Sequence, residues 1–254
     1  MHVIPIKTPI VHPHDDLFNL LRSSLPQQIS ERSIVVVTSK IVGLCEGRVV
    51  PKKDGSKEEK RKLVEQEAEY FVDPKTSKSK YDIMLTMKHA ILAVNAGIDE
   101  SNVHDQYVLF PSEPMDSAQK IWQFLRSEYN LKEVGVLITD SRTMPLKWGQ
   151  MGTSLAYCGF SPLNDNRGLP DLFGRELVMT QVNVAESLAV AAVLEMGEAA
   201  ESTPLALITE VPMVQFLTRP PTAEDVAALV IAPDDDVYAP VVMAAAWQPG
   251  GKAP

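Results

Sequence analysis

The sequence predicts an α/β fold, and three observations carry that reading. Short β-branched apolar runs at residues 34–37, 91–94, 134–139 and 205–209 read as buried strands. Between them, apolar residues recur at helical spacing: Leu17, Leu20, Leu21 and Leu25; Ala118, Ile121, Trp122 and Leu125; and Ala185, Leu188, Ala189, Ala192, Val193 and Met196. The chain has 254 residues, 45% hydrophobic and 22% charged, enough for one large core or two intimate ones. The reading is therefore a single domain over residues 1–246, divisible into two intimate subdomains. Residues 247–254, which hold Pro249, Gly250, Gly251 and Pro254, are expected to form a flexible tail.

Charge and cysteine usage narrow the function classes. The formal net charge is −9, which argues against broad nucleic-acid binding but leaves room for a local basic pocket. Cys45 and Cys158 make no disulfide framework and no CxxC pair, so a reducing cytoplasm is expected. No apolar run is long enough for a transmembrane helix, and the N-terminus lacks the pattern of a signal peptide. Neither a nucleic-acid nor a membrane partner is expected.

In chain order, residues 3–6 are a short strand, and Thr8-Pro9-Ile10-Val11 continues it in extended form because proline disfavours helix at the residue before it. Asp15 or Asp16 can cap the first helix. His12 and His14 flank Pro13 and read as a solvated turn rather than a metal site. The strand at 34–37 runs into Thr38-Ser39-Lys40, where hydroxyls and an ammonium suit phosphate contact, although no GxxxxGK[ST] loop occurs. A surface lysine after a strand would read the same way. Lys52, Lys53, Lys57, Lys60, Arg61 and Lys62 form a charge run, read as a solvated face. Residues 73–80 are a polar loop and a candidate flap. The strand at 91–94 delivers Asn95-Ala96-Gly97-Ile98-Asp99, followed by Ser101 and Asn102, with a simple turn as the competing reading. Residues 107–110 form another strand, and Asp116 or Ser117 caps the next helix, with Trp122 in the core.

The strand at 134–139 is expected to end on Asp140-Ser141, beside a loop with Pro145, Gly149 and Gly152. A carboxylate at the end of a buried strand, next to a glycine-rich loop, is where α/β proteins commonly place metal and phosphate chemistry, though a turn aspartate fits the stretch alone. A second apolar segment at 154–159 follows. The helix ending at Met196 is the clearest in the sequence; it stops at Gly197 and is followed by Glu198, a third acidic residue at an element end. Met196 itself reads as core. Thr222 can cap a helix at 223–229, and Asp234-Asp235-Asp236 reads as a solvated turn.

These residues resemble a known family. Residues 35–50 with Ser39-Lys40 and Glu46-Gly47-Arg48, Asn95-Ala96-Gly97-Ile98-Asp99 with Ser101-Asn102, Thr139-Asp140-Ser141, residues 165–177, and Met196-Gly197-Glu198 are similar in order and spacing to the coenzyme F-420 gamma-glutamyl ligase family. The resemblance spans Val3 to about Thr209, and the Asn-Ala-Gly-Ile-Asp-x-Ser-Asn string is its most specific part. It implies a mixed-sheet α/β (α+β) ligase fold assembled as an intertwined homodimer. It implies nucleoside-triphosphate-dependent addition of L-glutamate to a carboxylate-bearing small molecule, using GTP or ATP. By position it implies divalent-metal ligands (Mg²⁺ or Mn²⁺, with K⁺ as a further candidate) at Asp99, Asp140, Ser141 and Glu198. Catalysis is assigned to Asp99, Asp140 and Glu198. Nucleotide contacts are implied at Thr8, Pro9, Ile10, Val11, Ser39, Lys40 and Asn102, and at Met196, Gly197, Glu198, Ala199, Ala200, Glu201, Ser202 and Thr203.

Two departures bear on the acceptor. Leu44 stands where the family usually has a lysine, and Asp140-Ser141-Arg142-Thr143-Met144-Pro145 stands where it commonly has Asp-Thr followed by Phe-Gly-Arg-Pro, so Met144 replaces an arginine. Arg142 and Lys147 offer positive charge at different places. A coenzyme F-420 precursor and a folate-like acid are both open as acceptor. Amide formation requires activation of the carboxylate, most simply as an acyl phosphate, and separated carboxylates can hold the ions that phosphoryl transfer needs. A metal-dependent phosphohydrolase built on the same carboxylates, and a non-catalytic nucleotide-binding module, are the competing readings.

Overall fold

The computed structural model describes residues 1–76, 81 and 83–253. The elements are β1 (His2–Ile6), α1 (Leu17–Ser24), β2 (Ser33–Thr38), α2 (Ser39–Cys45), β3 (Val49–Pro51), α3 (Lys57–Glu67), β4 (Tyr70–Val72), β5 (Leu85–Lys88), β6 (Ile91–Val94) and β7 (Gln106–Val108). They continue with α4 (Pro114–Glu128), β8 (Val134–Thr143), β9 (Gln150–Cys158), β10 (Leu163–Asp165), β11 (Gln181–Asn183), α5 (Val184–Met196), β12 (Leu205–Thr209), α6 (Ala223–Ala227), α7 (Ala239–Val242) and β13 (Trp247–Pro249).

A five-stranded sheet in the order β1-β12-β2-β8-β9 forms the centre. It is mixed: β2 and β8 are parallel, and the other neighbours are antiparallel. Val35 and Val37 of β2 enter one apolar cluster, with α1, α2 and α4. Ile34 and Val36 enter a second cluster, against α5. A strand covered on both faces has no solvent side, which is why β2 reads as an unbroken apolar run. The stripe of α5 (Ala185, Leu188, Ala189, Ala192, Met196) is buried as its spacing predicts. Trp122 lies in the core and donates its indole N–H to the carbonyl of Val134 at 2.9 Å.

A second, four-stranded sheet, β13-β4-β5-β6, has its own apolar cluster with Val64, Ala68, Phe71, Met84, Ala96, Ile98, Tyr107 and Leu109. The charge run at 52–62 turns out to contain the first half of α3, capped by Ser56, whose hydroxyl accepts the Glu59 amide. The flap expected at 73–80 falls partly outside the described residues; within it, Pro74–Thr76 forms a single 3-10 turn.

Three expectations change. Strand β8 does not end on Asp140-Ser141: a bulge between Ile138 and Thr139 is followed by five residues, Thr139 to Thr143, paired to β9. The apolar run stops there because β2 stops at Thr38, and beyond that point β8 and β9 continue as a two-stranded ribbon that needs no burial. Helix α4 starts at Pro114, not after Asp116 or Ser117, with proline in the first turn where its missing N–H costs nothing. The C-terminus is not a loose tail up to Ala253. Trp247–Pro249 pairs antiparallel with β4, and the amides of Gly250, Gly251 and Lys252 donate to the carbonyls of Glu69, Glu65 and Ala68, closing the exposed end of α3. A Cβ on Gly250 would sit 2.2 Å from the Ala68 carbonyl oxygen, so only glycine allows this approach. Sequence alone showed a Gly/Pro-rich end without the partner that orders it.

Candidate active site

The polar residues singled out in the sequence meet along one edge of the central sheet. Strand β2 ends at Thr38, so Ser39 and Lys40 open α2 directly above the parallel pair, while Asp140 and Ser141 rise beside them on the extension of β8. The Ser39 hydroxyl donates to Asp140 Oδ1 at 2.9 Å. From the other side comes the loop after β6. Asp99 Oδ2 lies 2.7 Å from Lys40 Nζ, and Lys40 also donates to the carbonyl and hydroxyl of Ser101 at 3.2 and 3.0 Å. Asp99 Oδ1 accepts the Ser101 amide at 2.7 Å and its hydroxyl at 2.8 Å.

The end of α5 supplies the third side. Gly197 terminates the helix with φ 81°, a left-handed conformation that favours glycine, and a Cβ there would run into the Glu201 carboxyl group. Ser141 donates to Glu198 Oε1 at 2.7 Å, and Asn102 donates to the Ala199 carbonyl at 2.8 Å. Glu201 accepts the Ala199 amide, Thr203 donates to the Met196 carbonyl, and the Thr8 amide donates to the Ser202 carbonyl at 3.1 Å. Thus Thr8, Ser39, Lys40, Asp99, Asn102, Asp140, Ser141 and the turn after α5 form one hydrogen-bonded neighbourhood. Pro9 and Ile10 are exposed beside it, and Val11 packs on the core. Met196 contributes only backbone, because its side chain is buried in the apolar cluster under α5.

The two carboxylates of the floor are tuned in opposite directions. Burial pushes the Asp140 carboxyl up to about 7; the Ser39 hydroxyl opposes this, while repulsion from Asp99 and Glu198 adds to it. Burial raises Asp99 as well, but the Lys40 ammonium and the Ser101 donors outweigh it and hold the group below the usual carboxylate range. Among the described residues no three acidic, imidazole or thiol groups are gathered into an ion cage. The donor set nevertheless fits a hard divalent cation in its chemistry. Mg²⁺ needs only one or two carboxylates and fills its remaining positions with water and phosphate oxygens, and Asp140 and Glu198 both bond hydroxyls here rather than lysine or arginine side chains.

The departures noted in the sequence have structural consequences. Leu44 is buried in the core cluster. Arg142 pairs with Glu186 at 3.3 Å, and Glu186 also accepts from Thr153 and the Ser154 amide. Its charge therefore serves the β8–β9 ribbon and α5 first. Glu186 was not visible as a partner in the sequence, where it is one more polar residue in a helix. Met144, Leu146 and Trp148 are exposed at the ribbon tip, as are Leu172, Phe173 and Met179 between β10 and β11.

Comparisons with known proteins place the chain among relatives. Residues 5–210 match the family model described as F420-0:Gamma-glutamyl ligase. Coenzyme F420:L-glutamate ligase of Methanosarcina barkeri is 33% identical over 210 residues, covering 79% of this chain and 81% of that protein. The protein of the same name from Methanothermobacter thermautotrophicus is 32% identical over 218 residues, 80% and 86% of the two chains. That of Methanocaldococcus jannaschii is 30% identical over 222 residues, 82% and 87%.

Proposed function

The chain belongs to the F420-0:gamma-glutamyl ligase family, and from that premise we propose that it is a GTP- or ATP-dependent ligase joining the amine of L-glutamate to the carboxylate of a small-molecule acceptor. The observation that carries the reading is the convergence of Ser39, Lys40, Asp99, Asn102, Asp140, Ser141 and Glu198 at one end of the central sheet, where Ser39 bonds Asp140, Lys40 pairs with Asp99, Ser141 bonds Glu198 and Asn102 bonds the Ala199 carbonyl.

In this reading an acceptor carboxylate oxygen attacks the terminal phosphorus of the nucleotide, giving an acyl phosphate and the nucleoside diphosphate. The neutral glutamate amine then attacks the acyl carbon, the C–N bond forms, and inorganic phosphate leaves. Lys40 supplies a charge-assisted contact to the phosphates, shared with its present partner Asp99. Ser39 and Asn102 supply further donors, and the turn from Gly197 to Thr203 forms the wall along which the nucleotide lies. Asp140, with Asp99, Ser141 and Glu198 around it, would hold Mg²⁺ or Mn²⁺. Such an ion supplies neutralisation of the charge that develops on the transferring phosphoryl group. The acceptor is a coenzyme F-420 precursor or a folate-like acid, and the choice between them turns on the loop where Met144 replaces the family's usual arginine and Arg142 is engaged by Glu186.

The test is phosphate release from GTP and ATP with and without L-glutamate, over a panel of acceptor acids. Release that requires both glutamate and an acceptor supports the ligase. Release without glutamate points instead to a phosphohydrolase, and nucleotide binding without release to a non-catalytic module.

We also propose a homodimer. The exposed side chains of Leu146, Leu172, Phe173 and Met179 are each more than four-fifths accessible in the single chain, an apolar surface of the kind a second copy covers. Light scattering at micromolar concentration should give twice the 28.0 kDa of one chain; a species of single-chain mass would refute it.

A further inference from the structure

The loop that carries Asp99 is the least regular part of the site. Asn95, Ala96 and Gly97 in succession have φ of 52°, 52° and 71°, and Asn102 has φ 56°. Left-handed backbone is tolerated by glycine and asparagine but unfavourable for alanine, and at Ala96 it persists only where neighbours hold it. Upstream, three bonds do so: the Asn95 amide donates to the Met84 carbonyl at 2.8 Å, and the Met84 amide donates to Asn95 Oδ1 and the Ala96 amide to Thr86 Oγ1, both at 2.9 Å. Downstream, Asp99 exchanges both backbone hydrogen bonds with Val108, and Asn102 reaches Ala199. Between these stands Glu100. Its Oε2 lies 2.9 Å from Lys52 Nζ and its Oε1 2.7 Å from Lys60 Nζ.

The two lysines belong to elements outside the site. Lys52 follows β3, and its ammonium also lies 5.1 Å above the buried ring of Tyr107. Lys60 stands on α3, whose far end is closed by the C-terminal strand. Consecutive residues of one loop therefore point to different supports: Asp99 and Ser101 to Lys40, Glu100 to Lys52 and Lys60, and Asn102 to the end of α5. Two ammonium groups on one carboxylate hold it below its usual range, chiefly through Lys52. Loss of that carboxylate would leave two like charges facing each other with nothing between them.

We propose that Glu100 is a positioning residue, which acts through Lys52 and Lys60 to fix the loop that aims Asp99 and Ser101 at Lys40. Only the activity arm of its test rests on the ligase reading. Glu100 touches none of the groups assigned to nucleotide or metal, so its removal misplaces Asp99 without removing any binding group.

The experiment compares Glu100→Gln, the double variant Lys52→Met/Lys60→Met, and Glu100→Asp with wild type. Glu58→Gln, on the same helix and paired only at 3.7 Å with Lys62, serves as a control. Amide hydrogen exchange of residues 95–103 is measured on the full chain, together with kcat and nucleotide KM of glutamate-dependent phosphate release. Glu100→Gln and the double lysine variant should each raise exchange in that segment. Each should also lower kcat by roughly tenfold with KM changed less than about twofold, since small misplacements of reacting groups cost that much. Glu100→Asp should recover part of both, and Glu58→Gln should change neither. Unchanged exchange and unchanged kcat in Glu100→Gln would overturn the proposal, as would increased exchange spread across the whole chain. Should wild type show no glutamate-dependent release, the ligase reading fails, and exchange at residues 95–103 decides the positioning role by itself.

Discussion

Asp140 and Asp99 face one another's field but are built into the protein in different ways. Asp140 stands on a continuous strand at the point where the central sheet narrows to a ribbon; its neighbours are hydroxyls and two further carboxylates. Asp99 stands on an irregular loop, with an ammonium at 2.7 Å and a serine folded back on it. The strand fixes position through backbone and leaves charge uncompensated. The loop fixes position through charge and needs compensation to exist. One side of the site is therefore rigid and electrostatically incomplete, the other electrostatically complete and dependent on its clamps.

The sharpest way to break this contrast is Asp140→Asn. Asparagine keeps the acceptor for Ser39 and removes the charge. If the incomplete side is where a cation belongs, glutamate-dependent phosphate release at saturating Mg²⁺ should fall roughly a thousand-fold, several kcal/mol in the transition state. The strand should hold, and metal-free stability should stay level or rise because repulsion among Asp99, Asp140 and Glu198 is relieved. A folded variant with near-normal ligation would place Asp140 outside the chemistry.

Lys40→Ala attacks the complete side. It deletes a charge-assisted phosphate contact worth about 1.5–3 kcal/mol, so nucleotide affinity measured by calorimetry should weaken roughly ten- to a hundred-fold. It also releases Asp99 from its ion pair. Unchanged affinity would reduce Lys40 to a structural partner of Asp99.

The same contrast explains what could be read in the sequence. The central strands and α5 were legible because burial on both faces writes itself as an unbroken apolar run or a helical stripe. The site residues were legible as polar groups at the ends of those elements and through the family resemblance, and Ser39, Lys40, Asp99, Asn102, Asp140, Ser141 and Glu198 do converge. What escaped depends on distant partners. The extension of β8 to Thr143 is set by pairing with β9, and no apolar pattern marks a two-stranded polar ribbon. The C-terminal strand is ordered by β4 and by the open carbonyls of α3, about 180 residues earlier in the chain. Lys52 and Lys60 looked like part of a solvated face, yet both are held by Glu100. Sequence spacing reports local periodicity; it carries no record of which long-range charge finds which.

The smallest expected effect is on the pH dependence of stability, and it separates the two carboxylates by sign. The folded pKa of Asp140 is raised from 3.8 to about 7. Between these values the native state holds a proton that the unfolded chain has lost, so the stability this group contributes is complete only below about 3.8 and is lost progressively as pH rises to about 7. Asp99 is lowered, so its contribution is present above the ordinary carboxylate range and disappears only as pH falls through its depressed folded value. In metal-free protein the melting temperature of Asp140→Asn should therefore match wild type below about pH 4, pull ahead as pH rises to about 7, and exceed it by several degrees at pH 8, where about 1 kcal/mol corresponds to roughly 2–4 °C for a chain of this size. Asp99→Asn should show the reverse, with its deficit largest at neutral pH and shrinking as acid removes the Asp99–Lys40 pair from wild type. Adding Mg²⁺ should raise the wild-type curve at pH 8 and leave that of Asp140→Asn in place, because a bound cation supplies the compensation that the strand side lacks. Parallel melting curves for wild type and Asp140→Asn from pH 5 to 8 would mean that the carboxyl of Asp140 titrates normally, and that the charge imbalance between the two sides of the site is absent in solution.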